Sequence, residues 1–186
     1  KEAVLVNAEG NVVGKMQTEA KNIELKGNSD LKLQSTLIKK ASEGDAAAKA
    51  EIALPVYIFN IDGQDVPVVP CYGAGLWGPI WGYLAFEGDM NTIEGAVFDH
   101  KGETPGLGAE IATNWFRNNF TGKKIYNAEG EFTSVKVVKG GAAEDDINGV
   151  DAISGGTITS QALEKAIKSW LEAYVPYFET LKAVEE

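Results

Sequence analysis

The sequence predicts an α+β fold: an antiparallel sheet with flanking helices, and a glycine loop at the N-terminus of the C-terminal helix. Three observations predict it. β-Branched and aromatic runs follow one another across tight Gly- or Asp-containing turns, the pattern of strands that pair antiparallel. Only two or three segments carry helical periodicity. Regular βα alternation is missing, which argues against a doubly wound sheet. The chain has 186 residues, 44% of them hydrophobic, enough for one domain with its own core.

The elements follow in chain order. "AVLVNAEGNVVG" reads as a hairpin with Gly10 in its turn. Residues 31–53 are polar and alanine-rich. Helix is expected at both ends, with Gly44 and Asp45 interrupting, and the segment is read as solvated. Residues 1–54 are thus expected to be an N-terminal peripheral segment of the same domain. After Pro55, "VYIFNIDGQDVPVVPCYG" holds two apolar runs about an Asp62-Gly63 turn. Two more strands, about 80–86 and 93–99, meet at Gly88-Asp89. Ile111, Trp115, Phe116 and Phe120 fall at helical spacing. "EFTSVKVVKG" alternates as a further strand. The last helix is expected to start near Thr159 or Ser160, either able to cap it. Its apolar face is Leu163, Ala166, Ile167, Trp170, Leu171 and Tyr174, and Pro176 is expected to close or kink it.

Composition removes several functions. The formal net charge of -10 and pI near 4.7 argue against nucleic acid and against docking on anionic lipid. The single Cys71 rules out an internal disulfide and a thiolate metal cluster, and is read as a small apolar filler. The single His100 is read as a core or surface residue. No apolar run of spanning length and no signal peptide occur in the sequence.

Three glycine-rich loops carry the candidate chemistry. "CYGAGLWGPIWGY" interleaves glycines with Trp77, Trp81 and Tyr83, as either a wall for a planar ligand or ordinary core aromatics. "HKGETPGLGAEI" holds Leu107 between Gly106 and Gly108 just before a helix, where backbone N–H groups gather. "DAISGGTITSQALEKAI" places Gly155 and Gly156 before the last helix. It is a plain helix start, an anion cradle, or a site where a hydroxyl is itself modified. A phosphate-binding enzyme of the Walker type lacks its lysine here. Thr157, a hydroxyl among the same donors, is needed only for a covalent ester.

Together these loops resemble the FMN-binding domain of the C subunit of the sodium-translocating NADH:quinone oxidoreductase. The resemblance covers roughly residues 55–175. That family's motif is Ser or Thr, Gly, Ala, Thr, and its last threonine carries FMN as a phosphoester. Here the motif reads Ser154-Gly155-Gly156-Thr157, with glycine in the usual alanine position. The resemblance implies that Thr157 bears the flavin, with Ile158 and Thr159 beside it and Thr159 as the fallback attachment site. It places Glu103, Thr104, Leu107, Gly108, Leu76 and Trp77 near the ring. Lys139 is a candidate cationic neighbour of the phosphate. Residues 55–186 then form the FMN-binding domain.

The same resemblance implies a redox subunit that relays electrons with other subunits of a membrane complex. It implies a separate flavin transferase using FAD. It also implies an N-terminal transmembrane helix, absent from this chain, and an inner-membrane protein whose soluble domain faces the periplasm. The start at Lys1 fits a trimmed piece. The related G subunit of the Rnf-type electron-transport complex shares the flavin motif, and the double-Trp "GLWGPIWGYLAF" segment leans to the quinone reductase. A flavin-free assembly module of the same fold is the competing expectation.

Overall fold

A computed structural model describes residues 2–16 and 28–182. Its centre is a six-stranded sheet in the order β2-β1-β3-β4-β5-β6, with every neighbouring pair antiparallel. The strands are β1 (Glu2–Val6), β2 (Val12–Met16), β3 (Leu54–Ile61), β4 (Gln64–Ala74), β5 (Pro79–Phe86) and β6 (Ile93–His100). Each forms for the reason its sequence predicts. β5 alternates half-buried and buried residues along its whole length, so one face meets the core. The β3–β4 turn places Asp62 at φ 50 and Gly63 at φ 88, the doubly left-handed turn whose twist matches a two-residue hairpin.

The N-terminal third differs from its expected peripheral place. β1 sits inside the sheet, paired with β3 from Glu2↔Ile58 to Val6↔Leu54. Helices α1 (Asn28–Ser42) and α2 (Ala46–Ala50) follow, so helix does form on both sides of Gly44 and Asp45. They are not solvated throughout: Leu31, Leu37, Ile38, Ala48 and Ile52 join the core. Polar residues between these positions mask a helical apolar stripe, and that stripe decides the packing. Asp45 caps α2 by accepting the Ala48 N–H at 3.0 Å.

The helical spacing of residues 108–120 does not give one helix. A 3-10 turn spans Gly108–Ala112, and α3 covers only Asn114–Asn118. Thr113 leaves helical geometry at φ -80, ψ 152 and caps the next turn through its hydroxyl. Ile111, Phe116 and Phe120 are still buried, with Phe116 and Phe120 against Phe98, while Trp115 points outward. The strand expected in "EFTSVKVVKG" shrinks to β7 (Lys136–Val138). Ser134 at φ 61 breaks it, and the N–H groups of Thr133 and Ser134 both turn to the Ile125 carbonyl. β7 pairs with β8 (Gly149–Asp151) in parallel, an exception to the antiparallel expectation.

The last helix, α4, runs from Thr157 to Lys182. Its predicted apolar face is buried in full, from Leu163 to Tyr174. The Trp170 indole N–H donates to the Tyr72 carbonyl at 3.0 Å, and the Tyr174 hydroxyl donates to the Pro55 carbonyl at 2.6 Å. These bonds lash α4 to β3 and β4. Pro176 does not end the helix. Tyr177 and Phe178 beyond it are buried, and that packing outweighs the lost backbone bond. Cys71 is fully buried in β4, and burial pushes its thiol up to about 12, as suits an inert filler.

Candidate functional site

The three glycine loops meet at one end of the sheet. The first leaves β4 and returns as β5, closed by the Gly75 N–H donating to the Gly78 carbonyl at 2.7 Å. The second leaves β6. Its turn is held by the N–H groups of Leu107 and Ala109, which both donate to the Thr104 carbonyl at 3.1 Å. The third joins β8 to α4. Between them lies a cavity of about 280 Å³. Leu76 and Trp77 line it from the first loop, Glu103, Thr104, Leu107 and Gly108 from the second, and Gly155 to Thr159 from the third.

α4 starts earlier than predicted, and neither Thr159 nor Ser160 caps it. Their hydroxyls hold the loop instead. Ser160 Oγ accepts the Ile153 N–H at 3.1 Å and donates to the Gly156 carbonyl at 2.9 Å. The Thr159 hydroxyl donates to Glu103 Oε2 at 2.6 Å. Both residues are essentially fully buried. Thr157, by contrast, is half-buried at the cavity and is the first residue of α4. Among the described residues its hydroxyl has no hydrogen-bond partner, and no backbone acceptor meets the N–H groups of Thr157 or Ile158. A helix N-terminus with unmet donors and an available alcohol suits an anion that can also be esterified.

Added side chains would crowd this loop. Gly155 holds φ +74, and Leu107 Cδ2 would lie 2.7 Å from a Cβ there. At Gly156 a Cβ would stand 2.8 Å from Ile153 Cγ2 and 2.9 Å from the Leu107 carbonyl oxygen. The second and third loops therefore touch backbone to backbone.

Around the cavity the chain leaves apolar groups in water. Trp77 is 68% exposed, Ile158 60%, Leu76 48% and Leu107 43%. Four such side chains about one mouth form a surface ready to cover a flat apolar ligand. The core alternative for Trp77 is thereby removed, whereas Trp81 packs partly buried against the core. Glu103 is 4% exposed and accepts the Trp77 N–H at 2.8 Å through Oε1.

Lys139 follows β7 on an exposed turn and does not line the cavity. Ser154 is exposed at the start of the third loop, also outside the lining. The sequence reading missed two organisers. His100 Nδ1 accepts the Glu103 N–H at 3.2 Å, and the Ser160 hydroxyl ties Ile153 to Gly156. The three-residue spacing from His100 to Glu103 was the available signal for the first.

The FMN-binding domain family matches residues 75–172, a span that takes in all three loops. The chain belongs to the FMN-binding domain family. It is 33% identical over 144 residues to the C subunit of the Na(+)-translocating NADH-quinone reductase of Vibrio alginolyticus, covering 77% of this chain. It is 35% identical over 156 residues to that of Neisseria meningitidis serogroup B, covering 81% of this chain. The matches span 56% and 59% of those relatives' own lengths. The crystal structure of the corresponding protein from Parabacteroides distasonis superposes with a TM-score of 0.72 at 42% identity, over 96% of this chain and 77% of that one. Shewanella oneidensis NqrC gives 0.71 at 31% identity, over 97% and 83%. No helix among the described residues is long and apolar enough to cross a membrane.

Proposed function

We propose that the cavity seats FMN, held covalently through a phosphoester on Thr157 Oγ. One observation carries this reading. Of the three hydroxyls at the start of α4, only that of Thr157 is both at the cavity and unengaged, while Thr159 and Ser160 are committed to internal bonds. The fallback site is therefore disfavoured. The unmet N–H groups of Thr157 and Ile158 supply donors for the phosphate, without any help from Lys139. Leu76, Trp77, Leu107 and Ile158 offer the apolar cover that a ring system needs. A cavity of about 280 Å³ is too small to enclose a flavin, so a covalent tether would retain what shallow burial does not.

Attachment is the work of a separate transferase using FAD. Thr157 Oγ would be the oxygen esterified to the FMN phosphate, with AMP as the group released from FAD and the hydroxyl proton taken up by the transferase. The flavin supplies one-electron chemistry, while this chain positions it and sets its surroundings. The domain then serves as an electron relay within the sodium-translocating NADH:quinone reductase. Its place is the periplasmic face of the inner membrane, working with the complex's other subunits.

Coexpression with a flavin transferase tests the assignment by intact mass. The expected product is heavier by FMN minus water and keeps its yellow colour through acid precipitation. Thr157→Val keeps the β-branched shape, removes the oxygen and is expected to abolish the added mass. Label that persists in Thr157→Val and vanishes in Thr159→Val overturns it.

A further inference from the structure

Glu103 joins all three loops of the cavity. It belongs to the second loop, holds the first through the Trp77 N–H at Oε1, and holds the third through the Thr159 hydroxyl at Oε2. Its own N–H is fixed by His100 Nδ1. The neighbouring glycines are shaped around it. A Cβ on Gly75 would lie 2.5 Å from Oε1, and one on Gly108 would collide with both Oε2 and the Thr159 hydroxyl. With both oxygens accepting, the bonding pattern is that of a carboxylate.

No cation among the described residues lies within ion-pair distance of it. A buried, unpaired charge is costly. Its compensation is two hydrogen bonds and the adjacent N-terminus of α4, whose dipole favours an anion. Glutamine has the same length and could make two bonds without that cost. Its amide would donate to Thr159 Oγ while its oxygen accepted from Trp77. The shape of the site therefore does not explain the charge.

We propose that Glu103 is the positioning residue that sets the cavity's three walls, and that its fixed negative charge lowers the reduction potential of a cofactor bound between them. The inference rests on the flavin reading above. An electron added beside a buried anion meets repulsion that solvent screens poorly. Removing the charge while keeping the bonds is expected to make reduction easier.

The test compares wild type with Glu103→Gln, both coexpressed with the transferase, first by intact mass and then by redox titration. Glu103→Gln is expected to raise the reduced-to-oxidised ratio at fixed solution potential at least tenfold, about 59 mV for a one-electron couple. Slow hydrogen exchange at the Trp77 N–H is expected to persist in Glu103→Gln and to be lost in Glu103→Ala. Should Glu103→Gln fail to fold, Glu103→Met with Thr159→Val gives a second neutral cavity, expected to show the same rise. A wild type that gains no mass overturns the flavin reading and this proposal with it. A labelled wild type whose potential matches the neutral variants overturns the proposal alone.

Discussion

Thr157 and Thr159 stand two residues apart and are expected to respond oppositely to the same substitution. Valine replaces a hydroxyl by a methyl of nearly the same volume, so packing barely changes. Thr159 is 1% exposed, and its hydroxyl donates to the buried Glu103 carboxylate at 2.6 Å. Valine there removes a charge-assisted bond and leaves Oε2 unsatisfied away from water. Hydrogen bonds to charged groups contribute roughly 1.5–3 kcal/mol. For a domain of this size each kcal/mol moves Tm by about 2–4 °C, so the expected fall is roughly 3–12 °C. At Thr157 the hydroxyl is half-buried with no partner among the described residues, and the expected change is within about 0.5 kcal/mol. Urea unfolding of the flavin-free proteins, read as midpoint shifts at constant slope, measures both. Flavin attachment is expected to follow the reverse order, lost at Thr157 and kept at Thr159. A Thr159→Val protein as stable as wild type would refute the view that this hydroxyl ties two loops together. So would a Thr157→Val protein destabilised as much as Thr159→Val.

Three further outcomes are expected. Gly156→Ala introduces a Cβ that would sit 2.8 Å from Ile153 Cγ2 and 2.9 Å from the Leu107 carbonyl. It is expected to cost about 1–3 kcal/mol in urea unfolding and to shift the Leu107 amide resonance. Ser134→Gly relieves a left-handed residue at φ 61 and removes a buried hydroxyl with no partner. Its expected stabilisation is about 1 kcal/mol, with Ser134→Ala gaining less because the backbone strain stays. Asp89 is pushed up by burial but pulled down further by the Thr92 hydroxyl and the N–H groups of Thr92 and Asn91, so its carboxyl sits below the usual range. Its stabilisation is present above the unfolded-state value of about 3.9 and is lost as pH falls through the lower folded value. In Asp89→Asn that part of the acid-side slope is expected to vanish, measured by thermal unfolding across pH 2–6.

Much of the fold is legible because its signals are local. The Asp62-Gly63 turn, the alternation of β5 and the apolar face of α4 each depend on residues close in sequence. The errors arise where distant contacts intervene. Ser134 ends a strand by bending toward Ile125, and buried Tyr177 and Phe178 carry α4 past Pro176, while Thr113 divides a periodic apolar pattern through a local cap that spacing alone does not reveal. The N-terminal third looks solvated because polar residues dilute its apolar stripe, yet β1 pairs inside the sheet.

By itself, then, the sequence determined an α+β domain with three glycine loops and a motif in which Thr157 stands before an amphipathic helix. Turn residues, strand alternation and helical spacing are written over a few neighbouring positions. Only the tertiary structure decided which hydroxyl is available, because that depends on what each one touches. Glu103 lies 56 residues from Thr159, and their bond withdraws one threonine from the surface while leaving the other at the cavity. The same long-range contact gives Glu103 its buried place among three loops that are far apart in the chain and adjacent only when folded.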